Sequence, residues 1–466
     1  VSSPAPARPR PVHRAADLLA AYLPGSFYYS SARGVLLADG VHSHVRGVPG
    51  NRASAAAEAL EAAVLAGVAD PVVVGAIGFR PDSGCSLIVP AVVRRAEAPG
   101  DGDALAAEAG VGSRTELAGG VSGPAEGNRA PRSVGGSGFA GGEAGDQAGL
   151  NGDLGPGGGV ESAGNQDDQR GSSHPADTET SSSWTVVPQP APEVYAESVR
   201  RAVDLIADGD LQKVVLARAL DLVGEQGVSV QQLLRNLVVA DPAAHAFAVD
   251  VSAPGDAAPR TLVGASPELL VSRKGDVVTA NPLAGSRRRT GDPAQDGQAI
   301  AGLRVSEKDL NEHALVAAQV AEVLGRYCTE LDVPEEPEVI GTPTMWHLST
   351  RITGRVGPGG PSSLELAEAL HPTPAVCGVP VDLARDTIAQ LEPEDRGYYA
   401  GLVGWTDLAG DGEWVVTIRC AEVADKTARL FAGAGIVAGS DPAAELAETS
   451  AKFGTLLRAL GAEGIA

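Results

Sequence analysis

Residues 96–183 constrain this chain more than any other feature. The stretch is built from Gly, Ala, Ser and acids, with GGSGFAGGEAGDQAGLNGDLGPGGG at its centre and almost no β-branched or aromatic anchors. Such a segment cannot bury enough apolar surface to offset about 1–2 kcal/mol per residue of backbone ordering entropy. Disorder is the expectation for it. Its 14 acidic and 4 basic residues keep a linker extended and hydrated. The foldable chain is then two flanks, an N-terminal part over 1–95 and a larger region over 184–466, which build one mixed body with the glycine-rich stretch as an insertion.

At 466 residues the chain is long enough for one large or two ordinary domains. Its formal charge of −23 argues against nucleic acid or an anionic membrane as partner, since both would be repelled along most of the surface. Cys85, Cys328, Cys377 and Cys420 lie far apart without a CxxC pair, which speaks against a secreted disulfide scaffold and for a reducing compartment. No apolar run approaches the roughly 20 residues needed to span a bilayer, and the N-terminal Ala/Leu stretch is interrupted by Asp17. The expectation is a soluble, cytoplasmic enzyme.

Before the insertion, PVVVGAIGFRPDSGCSLIVPAVVRR predicts strands over 72–77 and 87–93 around a Pro81-Asp82-Ser83-Gly84 turn. After it, Tyr195, Val199, Val203 and Ile206 repeat at helical spacing, and a strand starts at Val214 beyond the Asp208-Gly209-Asp210 turn. Further strands are predicted over 261–264, 277–279, 352–356, 414–420 and 430–434, with helices over 309–327, 363–370 and 442–460. Strands arrive in clusters between helices without a βαβα beat, so an α+β layered sandwich is favoured over a doubly wound sheet.

Two helix starts draw attention. SEKDLNEH offers Ser306 as N-cap, with Asp309 and Glu312 three residues apart on one face. SDPAAELAETSAK offers Asp441 as cap and Pro442 in the first turn, followed by Glu445, Glu448 and Lys452. Oxygen-only ligand sets of this kind suit Mg²⁺, which keeps several waters and commonly sits between one or two carboxylates and an anionic substrate. The same acids are also what a helix macrodipole favours in a first turn facing water. Lys213 precedes an apolar strand, where a lysine can be a base or simply a snorkelling surface residue. Glu268, after Pro267 and before Leu269-Leu270-Val271, would have a raised pKa if buried and could act as a general acid. AGAGIVAG, residues 432–439, misses the GxGxxG spacing, but its backbone N–H groups suit a carboxylate.

With these residues in view, the chain resembles the chorismate-utilising enzymes, and among them the isochorismate synthases of the siderophore type. The matching stretches are KVVLAR (213–218), GASPELL (264–270), PLAGSRRR (282–289), SEKDLNEH (306–313), TPTMWHLST (342–350), LHPTPAVCGVP (370–380), GEWVVTIRC (412–420), LFAGAGIV (430–437) and ELAETSAK (445–452). The resemblance implies a single large domain of two mainly antiparallel sheets with helices outside, chorismate as the substrate and Mg²⁺ as the cofactor. It implies that Lys213 activates water against ring C2 and that Glu268 protonates the departing C4 hydroxyl. Glu312 and Glu448 would hold the metal, with Asp309 and Glu445 binding its waters or orienting its direct ligands. Arg419, Tyr399, Lys452 and the backbone near Gly285 and Gly435 would hold the carboxylates, and His347 would contact the ring. The family also suggests a monomer.

Within the family, ammonia-adding members usually place Gln where this chain has Lys213, and those forming 4-amino-4-deoxychorismate use a lysine where it has Ala284. Ala375 stands where lyase and amination branches often carry Thr, in keeping with release of isochorismate for siderophore (2,3-dihydroxybenzoate) or menaquinone synthesis. Val376 departs from the Leu of some isochorismate synthases, which keeps salicylate synthase as an alternative. A non-catalytic chorismate-binding protein is the other.

Overall fold

The computed structural model describes residues 13–98 and 184–463. The predicted disorder of the insertion falls almost wholly on residues 99–183, outside the described residues.

The fold is α+β, as expected, and mainly antiparallel. Seventeen strands form one hydrogen-bonded ladder. It begins with Glu330–Asp332, Ile352–Arg355, Val277–Asn281, Leu269–Lys274, Gly412–Val416, Leu402–Asp407 and Val72–Ile77. It continues through Cys85–Ala96, Gly34–His44, Phe27–Ser31, His245–Asp250, Arg260–Ser266, Cys420–Ala424, Thr427–Ile436 and Lys213–Gly224. Trp184–Gln189 and the short Gly378–Val379 share the last free edge. The ladder folds back on itself. Val74, Val271 and Trp414 from one arm and Leu216, Phe247 and Leu262 from the other belong to one core, and Ser31 Oγ donates to Glu413 across it at 2.8 Å. A second core lies behind the other arm, where Leu234 and Phe453 of helices Val230–Ala240 and Pro442–Ala459 cover Leu220, Val263 and Leu430.

The apolar run of Lys213–Gly224 follows from this position. It is covered on both faces, so its side chains are buried almost without alternation. Lys213 and Arg218 are its buried cations. A separate sheet of Leu283–Arg288, Met345–Ser349 and Glu338–Gly341 packs against helix Glu307–Leu324. Both predicted caps form: Ser306 Oγ accepts from Asp309 N at 3.2 Å, and Asp441 Oδ1 from Ala444 N at 2.9 Å.

One predicted strand breaks. Residues 414–420 divide into Gly412–Val416 and Cys420–Ala424. Between them Thr417 N and O bond to Gly401 O and Ala400 N at 2.8 Å each, and Arg419 takes a left-handed φ of 50°. A non-glycine residue in that region is costly and persists only where its surroundings hold it.

Candidate functional site

Where Lys213–Gly224 and Thr427–Ile436 meet the three-stranded sheet and the helices Glu307–Leu324 and Pro442–Ala459, a cleft opens. Glu268, Gly285, Glu312, His347, Ala375, Tyr399, Arg419, Gly435, Glu448 and Lys452 all line it. Lys213 lies beneath the wall: it is fully buried, and its Nζ is 3.0 Å from Glu312 Oε1. No neighbouring atom completes a well-formed hydrogen bond with that ammonium. Asp309 and Glu445 do not line the cleft. They sit behind it on the same two helices, paired with Arg287 at 2.9 Å and Lys308 at 2.7 Å.

The electrostatics separate the acids. Burial raises the Glu268 carboxyl to about 7, against a backbone hydrogen bond at Leu283 and the charges of Lys213, Arg419 and Lys452. A carboxyl with that value is largely protonated at mildly acidic pH and can donate a proton. Glu312 is buried too, yet Lys213, Lys452 and Lys308 outweigh its burial and hold it below the ordinary carboxylate range. Burial and the adjacent Glu448 push Glu445 up despite Lys308.

One wall of the cleft is a hydrogen-bonded chain. Arg419 Nη2 lies 3.2 Å from His347 Nε2, and His347 Nδ1 lies 3.0 Å from Ser286 Oγ. Since arginine only donates, His347 Nε2 accepts, which places the ring proton on Nδ1 and gives the neutral tautomer. Burial and the charges of Arg419 and Lys452 hold His347 well below its usual value, in agreement. Lys452 Nζ donates to Glu448 Oε1 at 2.6 Å and Gly433 O at 2.8 Å. Tyr399 stacks on Phe431 with ring centroids 5.2 Å apart.

Two glycines make room. A Cβ on Gly435 would fall 2.3 Å from Glu312 Oε1 and 3.0 Å from Lys213 Cε. Gly285 has a φ of 71°, and a Cβ there would press on Asp309 Cβ at 3.1 Å. Glu312 and Glu448, hard oxygen donors in one cleft with space kept beside Glu312, fit a Mg²⁺ that retains most of its waters. Among the described residues no three His, Cys, Asp or Glu side chains converge as a full protein cage. Each of the four acids instead has a cationic partner: Lys213, Lys452, Arg287 or Lys308.

Lys308, Arg287 and Ser286 were not singled out from the sequence. Lys308 stands inside SEKDLNEH, but its partner Glu445 is 137 positions away, and no local spacing signals such a pair.

The sequence matches the family described as chorismate binding enzyme over residues 161–461. The isochorismate synthase DhbC of Bacillus subtilis (strain 168) is 42% identical over 458 residues, covering 97% of this chain and 98% of that protein. A crystal structure from Bacillus anthracis, described as a candidate 2,3-dihydroxybenzoate-specific isochorismate synthase, aligns with a TM-score of 0.77 at 38% identity, covering 96% of this chain and 99% of that one. The menaquinone-specific isochorismate synthase of Escherichia coli shares the fold, with a TM-score of 0.67 at 24% identity over 97% of this chain and 92% of that chain.

Proposed function

Because the chain belongs to the chorismate-binding enzyme family, we propose that it is an isochorismate synthase that adds a water-derived hydroxyl at C2 of chorismate and expels the C4 hydroxyl as water. The observation that carries this reading is a cleft lined by a buried carboxyl raised to about 7, with a buried lysine directly beneath its wall. Water addition at one carbon needs a base, and loss of hydroxide at another needs an acid. Lys213, in the neutral amine form that a base requires, takes the proton of the attacking water and becomes an ammonium, and Glu268 gives its proton to the C4 hydroxyl, which leaves as water. The ring gains and loses one hydroxyl, so atoms balance and no electrons are transferred.

Arg419 and Lys452 bind the substrate carboxylates, Tyr399 and the backbone at Gly285 and Gly435 bound the anion site, and neutral His347 orients Arg419 while facing the ring. Ala375 leaves the space beside the ring free of a hydroxyl. Glu312 and Glu448 would hold Mg²⁺, which would supply electrostatic stabilisation of a substrate carboxylate, while Asp309 and Glu445, behind the cleft on the same helices, support that pair through Arg287 and Lys308. The enzyme acts as a cytoplasmic monomer, and the likeness to a 2,3-dihydroxybenzoate-specific relative supports a siderophore route over menaquinone.

Incubation with chorismate and Mg²⁺ tests the reading by product analysis. Isochorismate without stoichiometric pyruvate is expected. Equal pyruvate would assign salicylate synthase instead, and no loss of chorismate would leave a binding protein.

A further inference from the structure

A second cavity, of about 120 Å³, lies away from the cleft, between the turn after Val72–Ile77 and the helices Arg52–Leu65, Ser363–Leu370 and Val381–Leu391. In a chain with a net charge of −23, three arginines, Arg52, Arg80 and Arg385, converge on it against one carboxylate, Glu368. Glu368 is already engaged. It accepts from Gly50 N at 3.4 Å, Ala53 N at 3.2 Å and Arg52 Nη1 at 3.3 Å.

Arg80 pairs with the exposed Asp82 through two bonds of 3.2 Å, but Arg52 and Arg385 are less well satisfied. Arg52 has a side chain only 8% exposed, and its buried Nε has no hydrogen-bond partner; beyond Glu368, the guanidinium meets only the weakly accepting Cys85 thiol. Arg385 Nε is likewise buried without a partner, and its Nη1 meets Asp382, whose side chain is 95% exposed. A buried guanidinium N–H without an acceptor is destabilising, and a bidentate carboxylate is the group whose geometry best matches it. Phe79, Pro81 and Pro372 give the wall an apolar part, beside His371, whose Nε2 lies 2.9 Å from Ala400 O.

We propose that this cavity is a second binding site that takes a small aromatic carboxylate, its carboxylate on Arg52 and Arg385 and its ring against Phe79 and Pro372. The site is joined to the catalytic cleft by short covalent and packed paths. Pro372 precedes Ala375 and Val376 of the cleft by a few residues, and Leu402 follows Tyr399 in the same way. Phe79 also packs under Arg396, whose Cζ is 4.4 Å from the ring centroid. Arg396 donates to Val376 O at 2.8 Å and Val215 O at 2.7 Å, both in the cleft wall. A ligand pressing on Phe79 and Pro372 therefore changes the affinity of the cleft for its substrate.

Titration of the full chain with 4-fluorobenzoate, followed by ¹⁹F NMR, tests this. Two sites are expected, one lost in Lys452→Met, where the cleft is disabled, and the other weakened at least tenfold in Arg385→Glu. Arg385→Glu should turn over chorismate within about twofold of the parent without benzoate, and its apparent KM should then depend on benzoate only through simple linear competition at the cleft, where the parent departs from it. If Arg385→Glu fails to fold, Arg80→Glu, altered on a surface arginine of the same cavity, carries the same expectation. Loss of all binding in Lys452→Met, or unchanged binding in both arginine variants, overturns the second site. Binding of inorganic phosphate there, with no binding of fluorobenzoate, overturns the aromatic assignment.

Discussion

Glu268 and Lys213 divide one reaction between them, and each makes a separate prediction. Lys213→Gln keeps roughly the length of the side chain and removes the base, so kcat should fall by about 10²–10⁴. Circular dichroism should be unchanged, and activity retained within about tenfold would remove Lys213 from that role. Glu268 is raised in the folded protein from 4.5 to about 7 by burial. The folded state keeps this proton between those values while the unfolded state has lost it, so the group's contribution to stability is full below 4.5 and declines as pH rises to about 7. At about 1.4 kcal/mol per pH unit the loss is on the order of 3 kcal/mol. Glu268→Gln, which never ionises, should gain stability relative to the parent between pH 5 and 7 and hold that gain above pH 7. Denaturant midpoints across the range check it, and a pH-independent difference would refute the raised value. The parent's kcat should also decline on an alkaline limb near 7.

The site depends on two elements being locked together. Arg218, on the strand that carries Lys213, donates to Thr449 Oγ1 at 2.8 Å and Ser450 Oγ at 2.7 Å of the helix that carries Glu448 and Lys452, and its guanidinium lies 5.0 Å from the Phe453 ring. Arg218→Met keeps an apolar stem but loses both bonds, at about 1–3 kcal/mol. Its Tm should fall, and the Mg²⁺ midpoint and the chorismate KM should rise together several-fold; a lower Tm with both constants unchanged would make the contact purely structural. Glu448→Ala should abolish activity together with its Mg²⁺ dependence, and a normal Mg²⁺ titration would place the ligand elsewhere. Several elements were legible because their signals are local: Ser363–Leu370 lies over the predicted span, and the acidic helix starts carry their caps. Phe27–Ser31 is buried at every position, so it shows no alternation. The break at Arg419 was not readable, because the bonds that impose it come from Ala400 and Gly401.

For the whole molecule, charge is the misleading summary. About −10 of the −23 belongs to residues 96–183, which leaves about −13 for the rest. Within that remainder four acids gather on two helices, three of them with a cation that becomes visible only in three dimensions, while Glu448 meets Lys452 one helical turn away. The line-up of the cleft was legible because family motifs fix which residues meet; the counter-charges were not, because Lys308 and Arg287 reach their partners across the fold. Ala96 and Trp184, on either side of the insertion, both pack on the second core. Loop-closure cost grows only logarithmically with length, so replacing residues 100–180 by a short flexible linker should leave kcat/KM within about threefold. A folded but inactive product would assign that segment a part in catalysis.

The central claim is that the hydroxyl of the product comes from solvent, delivered by Lys213 while Glu268 expels the original one. Turnover of chorismate with Mg²⁺ in H₂¹⁸O tests it most directly. One ¹⁸O at C2 of isochorismate, with no pyruvate, is predicted; unlabelled isochorismate would mean that the hydroxyl migrates without leaving, and would contradict the assignment of both residues.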